Sequence, residues 1–185
     1  MNTLSLVHAH LQSWIHPGDF VIDATAGNGK DTEFLCGLVG REGKVLAFDI
    51  QEQAVANTRQ RLQEHGWSEV GKVVLNSHAN MGKYAQENSV DCIVFNLGWL
   101  PGGDHTVFTH ADSTIAAIEA GLKLLRKDGV MCVSIYYGGA SGYEERDALL
   151  EYVKTIDPAQ YTVLVTQFAN RAGDPPIPVF IHKAT

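Results

Sequence analysis

Apolar positions along the chain follow two spacings that alternate from one end of the sequence to the other. Apolar residues three or four positions apart are typical of one-sided helices, and short continuous apolar runs are typical of buried strands. In the first predicted helix, Leu4, Val7, Leu11 and Trp14 are expected on the buried face. The first spacing predicts helices at residues 4–14, 31–39, 51–65, 109–125 and 143–156, and a helical turn at 81–86. The second predicts strands at residues 20–23, 44–49, 72–76, 90–97, 129–136, 161–168 and 177–182.

The order of these elements predicts an α/β protein with a parallel, doubly wound sheet of seven strands, because helices separate the first six strands. The last two strands are joined by residues 169–176, a connection too short for the helical crossover that parallel neighbours need. They are therefore expected to pair as an antiparallel hairpin, with one strand reversed in an otherwise parallel sheet. No repeat, low-complexity tract or linker interrupts the sequence, so we expect a single domain over residues 1–185, with a leading helix within 1–15.

The turn between the first strand and the second helix carries chemistry of its own. The strand ends at Asp23, and a Gly27-Asn28-Gly29 turn follows before the helix opens at Asp31. Glycines let the backbone adopt unusual torsions and approach a ligand closely, and helix-start amides can receive a carboxylate or phosphate. The second strand ends at Asp49, whose carboxylate suits the two hydroxyls of a ribose. Together these features predict a nucleoside-bearing cofactor at the carboxyl ends of neighbouring strands.

S-adenosylmethionine fits this turn better than a dinucleotide does. The dinucleotide fingerprint has a third glycine or alanine where this chain has Thr32. Asp23 also places negative charge where a pyrophosphate would approach, whereas the ammonium and sulfonium of S-adenosylmethionine favour an acidic lining. A tight turn that binds nothing is disfavoured by Asp49. The residues expected to contact the cofactor are Asp23, Thr25, Gly27, Asn28, Gly29, Asp31, Thr32, Asp49, Ile50, Gln51, His78 and Asn96.

Some of these residues have a second interpretation that the sequence leaves open. Asp31 and Thr32 open a helix, so they either satisfy its free amides or meet the methionine end of the cofactor, and the two uses are compatible. Ile50 is expected on the adenine face and Gln51 near the ribose. His78 is expected at the adenine edge or, equally, as a residue of a helix start. His10, on the leading helix, either approaches the site or is structural.

Asn96 ends the fourth strand, at the switch point where open α/β sheets place their ligands. Its amide oxygen can accept a hydrogen bond from an amine and orient the nitrogen lone pair toward a methyl donor. Asp104 and His105 are candidate acceptors for the amine proton, although Asp104 is equally suited to capping a turn and loop histidines are often merely exposed. Trp99 and Pro101 are candidates for a platform under a splayed base, or for packing against the sheet.

Composition and charge narrow the class of protein. The 185 residues are 45% hydrophobic and 19% charged, with no apolar run near the ~20 residues of a membrane span and no evident signal peptide. Cys36, Cys92 and Cys132 are odd in number and widely spaced, so we expect buried free thiols, no metal site and a cytoplasmic location.

The net charge of −7 argues against a broad nonspecific grip on nucleic acid, which needs a clustered basic surface. It leaves open one small RNA element met by a local patch. Scattered basic residues usually belong to an ordinary solvated surface, and the candidates for such a patch are Lys30, Lys83, Arg126, Lys127 and Arg171.

Four segments resemble one small family of class I methyltransferases, first described as rRNA methylases and associated with wobble-uridine methylation in tRNA. They are Ala9-His10, residues 23–32, Asp49-Ile50-Gln51, and the loop 96–105, whose sequence is NLGWLPGGDH. The resemblance covers essentially the whole chain, and the loop is its most specific element. Residues 170–176 depart from the family pattern, so no role is carried over to Arg171 or Asp174.

The resemblance implies a Rossmann-like sheet, S-adenosylmethionine as cofactor, and the tRNA anticodon loop as substrate. The implied reaction converts 5-aminomethyl-2-thiouridine to its methylaminomethyl form. The alternatives are methylation of an rRNA base nitrogen or a small-molecule amine, and a nucleotide-binding protein without catalysis; the intact 96–105 loop favours catalysis. A homodimer is left open. The residues expected at the substrate are Trp99, Pro101, Gly102, Tyr136 and Asn170.

Overall fold

A computed structural model describes residues 1–97, 110–137 and 139–185, without the side chains of 139–141. Within these ranges the α-helices are α1 Thr3–Trp14, α2 Lys30–Val39, α3 Glu52–Glu64, α4 Ala111–Leu124 and α5 Gly139–Val153, and a 3₁₀ helix covers His78–Lys83. The strands are β1 Phe20–Asp23, β2 Lys44–Asp49, β3 Gly71–Leu75, β4 Val90–Leu97, β5 Leu125–Ile135, β6 Tyr161–Val165 and β7 Ile177–Lys183.

The strands of the described residues form one sheet in the order β3-β2-β1-β4-β5-β7-β6. The pairs β2–β3, β1–β2, β1–β4 and β4–β5 are parallel, and β7 runs antiparallel to both β5 and β6. The predicted doubly wound sheet with a reversed strand in the terminal hairpin is therefore confirmed. The order reverses between β1 and β4, so the carboxyl ends of β1, β2 and β4 lie side by side.

Helices bury both faces of the sheet. On one face, Phe48 and Phe95 pack in a core that α4 and α5 complete. On the other face, α1 and α2 cover a second core that includes Cys36, Cys92 and Cys132. All three thiols are free and buried, as predicted. Successive residues of a strand enter opposite cores because their side chains point to opposite faces of the sheet.

Several predicted boundaries differ from the structure by one to four positions. The helical turn predicted at 81–86 lies at His78–Lys83, the helix predicted at 143–156 lies at Gly139–Val153, and the strand predicted at 161–168 ends at Val165. Two further differences, in α1 and β5, have identifiable reasons. Leu4 is 45% exposed, and the buried side of α1 runs through Thr3, Val7 and Leu11. The helix starts at Thr3 because Asn2 and Ser5 form a reciprocal capping box. β5 begins at Leu125, four positions before its predicted start at Gly129, because Leu125 pairs with Val90 of β4. Within the part of the chain that the structure describes, no helix is both long and apolar enough to cross a membrane.

Candidate active site

The turn between β1 and α2 requires glycine for torsion and for packing. Gly27 and Gly29 both have positive φ, at 55° and 84°. A Cβ built on Gly29 would lie 2.9 Å from the Thr58 Cα of α3, closer than real Cβ contacts allow. Gly29 is also the N-cap of α2 and has no side chain to cap the helix. The first amides of α2 therefore receive no hydrogen bond from an N-cap side chain.

Asp49 joins the ends of β1 and β2. Its Oδ2 accepts a hydrogen bond from the Gly27 amide and its Oδ1 accepts one from the Gln51 amide, each at 3.0 Å. The side chain is half-buried. A carboxylate has about four acceptor positions, so each oxygen keeps a lone pair for a further donor. This fixed, partly open carboxylate can accept the two hydroxyls of a ribose.

Asp23 lies beneath the turn, fully buried, and does not line its surface. It accepts hydrogen bonds from the Thr32 hydroxyl at 2.6 Å and the Thr25 amide at 3.1 Å. Burial raises the pKa of Asp23 to about 7. The expectation that Asp23 forms part of the acidic lining of the site is therefore corrected. Thr32 is buried as well, so the pair supports the turn from below.

Asn96 is held at the end of β4 from two directions. Its backbone amide donates to the Thr25 hydroxyl at 2.7 Å, and its side-chain nitrogen Nδ2 donates to the Asp31 carboxylate of α2. An ionised carboxylate only accepts hydrogen bonds, so the nitrogen end of the amide must face Asp31. The carbonyl oxygen Oδ1 is then the end left for another partner. Among the described residues, none donates a hydrogen bond to this oxygen.

The other oxygen of Asp31 meets a residue that sequence reasoning missed. His8 Nε2 of α1 lies 2.9 Å from Asp31 Oδ1. Of the two interpretations of His10, the packing of its ring against Trp14 and Phe180, with centroid distances of 5.1 and 4.7 Å, favours the structural one. No spacing in the sequence links His8 to Asp31, which lie 23 positions apart.

His78 lies beside the turn, at the first position of the 3₁₀ helix. Its Nδ1 is 3.1 Å from the carbonyl oxygen of Ala24, which can only accept, so Nδ1 carries the proton and Nε2 is an acceptor. Burial lowers the pKa of His78 below its ordinary value. The neutral ring can therefore accept a hydrogen bond from a donor such as an exocyclic amine. Its predicted position at the adenine edge stays a prediction.

The remaining predicted cofactor residues surround this edge of the sheet. Ile50 is 59% exposed directly after Asp49, and Gln51 is the N-cap of α3. Asn28 is held against α3, because its side-chain oxygen accepts from Asn57 and its carbonyl oxygen accepts from Arg61. An exposed apolar side chain beside the Asp49 carboxylate is compatible with an aromatic base packing there. The contacts that hold Asn28 join the turn to α3.

The predicted substrate residues are only partly described. Tyr136 follows β5 and donates its backbone amide to the Leu97 carbonyl at 3.0 Å, so it lies beside the end of β4. Burial, with the nearby Asp31 carboxylate, raises the Tyr136 pKa. Asn170 is exposed in the connection between β6 and β7. The predictions for Trp99, Pro101, Gly102, Asp104 and His105 lie outside the described residues.

Three carboxyl groups determine the electrostatic character of the site at the carboxyl ends of the strands. Asp23, Asp31 and Asp49 are close enough to one another for the last two to raise the pKa of Asp23, after the larger effect of burial. Such an edge favours a ligand with cationic groups over a pyrophosphate. No group of three or more His, Cys, Asp or Glu in the described ranges is arranged to hold a metal ion.

Comparisons with known proteins agree with this geometry. The family model described as "Putative rRNA methylase" matches residues 45–182. A curated relative from Arabidopsis thaliana, named tRNA (mnm(5)s(2)U34)-methyltransferase, chloroplastic, is 33% identical over 187 residues, covering 96% of this chain and 68% of the relative.

Two solved structures match nearly the whole chain. A crystal structure described as a "putative rRNA-methylase" from Clostridium thermocellum is 42% identical, with a TM-score of 0.95, covering 99% of this chain and 98% of that one. A "putative methyltransferase" from Streptococcus mutans, solved in complex with SAH, is 36% identical, with a TM-score of 0.88 and the same coverage of 99% and 98%. The likeness therefore includes the glycine turn, which precedes the residues matched by the family model.

Proposed function

Because this chain belongs to the methyltransferase family described as "Putative rRNA methylase", we propose that it methylates an amine on tRNA with S-adenosylmethionine as donor. The proposed acceptor is the amine of 5-aminomethyl-2-thiouridine at the wobble position. The name of the Arabidopsis relative, which specifies mnm(5)s(2)U34 of tRNA, supports this choice over an rRNA base. The observation that carries the proposal is the orientation of the Asn96 amide, with its nitrogen on Asp31.

An amine substrate fits the acceptor that Asn96 leaves available. A neutral primary amine carries N–H donors and one lone pair, and only the lone pair can attack a methyl group. When Asn96 Oδ1 accepts one N–H, that hydrogen bond restricts the directions in which the lone pair can point. A base nitrogen without a hydrogen would gain nothing from this acceptor. The reaction adds a methyl group to the amine nitrogen and releases one proton from it.

The residues around the turn fit the proposed cofactor. In the proposal, Asp49 accepts from the ribose hydroxyls, Ile50 packs on the adenine, and His78 Nε2 accepts from the adenine amine. S-adenosylmethionine supplies an electrophilic methyl group on a sulfonium when it is bound. The acidic edge formed by Asp31 and Asp49 favours its cationic centres. Most of the rate would come from positioning, since holding two reactants together removes much of the entropic barrier.

The cysteines support nitrogen as the acceptor in preference to a pyrimidine carbon. A carbon mechanism with a covalent adduct needs an exposed cysteine thiolate. The chain has three cysteines, and all are buried. Burial raises the pKa of Cys36 and of Cys132 to about 12, and that of Cys92 well above its ordinary value. None of these thiols is suited to attack a base.

The proposal also assigns roles outside the described residues. Asp104 and His105 stay the proposed acceptors of the amine proton, and Trp99 with Pro101 the proposed platform for the splayed base. Tyr136 lies beside Leu97, the residue after Asn96, and is the described residue that we propose to flank the substrate. An aromatic ring there can stack on an unpaired base of an RNA loop.

Nucleoside mass spectrometry of tRNA and rRNA tests the proposal in cells. A strain lacking the gene is compared with strains restored with the wild-type gene or with Asn96→Ala. We expect the unmethylated aminomethyl nucleoside to accumulate in tRNA without the gene and with Asn96→Ala, and to disappear when the wild type is restored. An unchanged tRNA profile, with a methyl group missing from rRNA, would instead support the rRNA alternative.

A further inference from the structure

A chain of hydrogen bonds connects the leading helix to the end of β4. His8 of α1 contacts one oxygen of Asp31, and the other oxygen of Asp31 accepts from the Asn96 amide. His8 must carry a proton on Nε2, because the carboxylate can only accept. These hydrogen bonds connect three elements, α1, α2 and β4, whose residues are far apart in the sequence.

We propose that His8 is a positioning residue for methyl transfer. It holds Asp31, and Asp31 holds the Asn96 amide with its oxygen available to the substrate amine. The inference rests on the proposed function, since it assigns His8 to the acceptor that Asn96 presents. It makes α1 a part of the active site.

The need for such a support follows from the shape of an asparagine amide. The oxygen and nitrogen ends of the amide are nearly the same size, so hydrogen-bond partners alone decide which end faces which way. A flipped Asn96 would instead present an N–H, to which the amine could bind only through the lone pair that must attack the methyl group. Asp31 prevents the flip only while its own carboxylate is held in place.

His8 is suited to hold Asp31 because it is itself fixed. Its ring stacks on Phe34 of α2, with centroids 3.9 Å apart and an interplanar angle of 10°. The side chain is largely covered, at 27% exposure, and the Asp31 side chain is covered to a similar degree, at 23%. A planar stack on the same helix that carries Asp31 sets the direction of Nε2. The donor is therefore preorganised, and little side-chain freedom is lost when the bond forms.

Two substitutions separate the hydrogen bond from the packing. His8→Phe keeps an aromatic ring on Phe34 and removes the donor, whereas His8→Gln keeps a donor of similar reach and removes the ring. We expect His8→Phe to lower kcat about ten-fold or more, because small displacements of a positioning group cost rate. We expect His8→Gln to keep kcat within about three-fold, and both variants to keep the KM for tRNA and the affinity for S-adenosylmethionine.

Double variants test whether His8 affects kcat through Asp31. In an Asp31→Ala background, His8→Phe should lower kcat no further, since the residue through which it acts is already gone. His16→Gln is the matched control, because His16 lies just beyond α1 with a side chain that is 68% exposed. Thermal unfolding of every variant is measured alongside the kinetics.

The outcomes separate this inference from the proposed function. If the wild type transfers no methyl group to the aminomethyl nucleoside, the proposed function fails. The side-chain amide signals of Asn96, assigned by their loss in Asn96→Ala, then test the inference alone by nuclear magnetic resonance. They should move in His8→Phe and hold their position in His8→Gln. Wild-type activity with an unchanged kcat in His8→Phe, or the reverse order of the two variants, would overturn the role of His8.

Discussion

The Asp49 carboxylate, at the end of β2, binds two backbone amides before it meets any ligand. Sequence predicted this residue at the ribose because an acid at the end of the second strand suits a diol. It could not predict that the same carboxylate fixes the glycine turn, since Gly27 and Asp49 meet only when β1 and β2 pair. A single residue therefore has a structural and a proposed functional role.

Asp49→Ala is predicted to weaken binding of S-adenosylmethionine by about 1.5–3 kcal/mol, the usual worth of charge-assisted hydrogen bonds. Asp49→Asn should be milder because one acceptor oxygen remains. Calorimetric titration measures both, with thermal unfolding as a check on folding. Glu42→Ala is the control, since Glu42 is an exposed carboxylate that precedes the opposite end of β2. Unchanged affinity in Asp49→Ala would remove this residue from the cofactor site.

Asp23 makes stability depend on pH. Its pKa is raised from 3.8 to about 7, so the folded protein holds this proton more tightly than the unfolded chain. The resulting contribution to stability is complete below about pH 3.8 and is lost as the pH rises through about 7. His78 acts in the opposite direction, because its lowered pKa costs stability as the pH falls.

Asp23→Asn isolates the first effect. The variant has no carboxylate to ionise at this position. The difference in free energy of unfolding, variant minus wild type, should therefore increase by about 2–3 kcal/mol as the pH rises from about 5 to about 8. His78 is present in both proteins, so its effect cancels in the difference. Urea unfolding across this range measures the gain. A difference that stays constant with pH would show that Asp23 is already ionised in the folded protein at pH 5.

At the scale of elements, the hydrophobic pattern predicted which segments are helices and strands, and distant contacts set where they end. β5 starts at Leu125 partly because Lys183, the last residue of β7, donates to the Leu125 carbonyl at 2.7 Å. The same ammonium donates to the Asn88 side chain at 2.8 Å. Lys183 is only 7% exposed. Local sequence gives no sign of a lysine buried at a junction 58 positions away.

Lys183→Met is predicted to lower the free energy of unfolding by about 1–3 kcal/mol, because buried carbonyls lose their donor while the length of the side chain is kept. Lys154→Met is the matched control, since that lysine is exposed and pairs only with Glu151 among the described residues. The control should change stability by less than about 0.5 kcal/mol. Equal unfolding midpoints for the two variants would contradict a structural role for Lys183.

The candidate site was predictable only in part, because element order locates the ends of strands and does not locate contacts between distant side chains. Asp49 and Asn96 end their strands, and strand ends at a switch point can be identified from the element order alone. The burial of Asp23 and the approach of His8 depend on how α1 and α2 pack on the sheet. The sequence shows that these residues exist, and the packing shows which ones meet.

For the whole molecule, the central fact is that Asp31 and Asp49 lie at the carboxyl ends of the strands, in a chain with a net charge of −7. Extensive nonspecific electrostatic binding of tRNA is not expected from such a surface. The cytoplasmic location stays a prediction, and the named plant relative is chloroplastic.

Binding of an anticodon stem-loop should therefore depend weakly on salt. The slope of log Kd against log salt concentration should correspond to about two or three phosphate contacts, since each contributes roughly 0.7–0.9. Fluorescence titration at several salt concentrations measures this slope. A slope equivalent to six or more contacts would reveal a clustered basic surface and contradict recognition through a small element.

Methyl transfer by purified protein, with and without Asn96, tests the account most directly. Wild type and Asn96→Ala are mixed with S-adenosylmethionine and tRNA that carries 5-aminomethyl-2-thiouridine, and the nucleosides are analysed by mass spectrometry over time. The account predicts conversion to the methylaminomethyl nucleoside by the wild type. Asn96→Ala should be slower by about 100-fold, as for loss of a preorganised polar group, with cofactor affinity changed by no more than a few-fold. Transfer by Asn96→Ala at the wild-type rate would contradict amine methylation at this site.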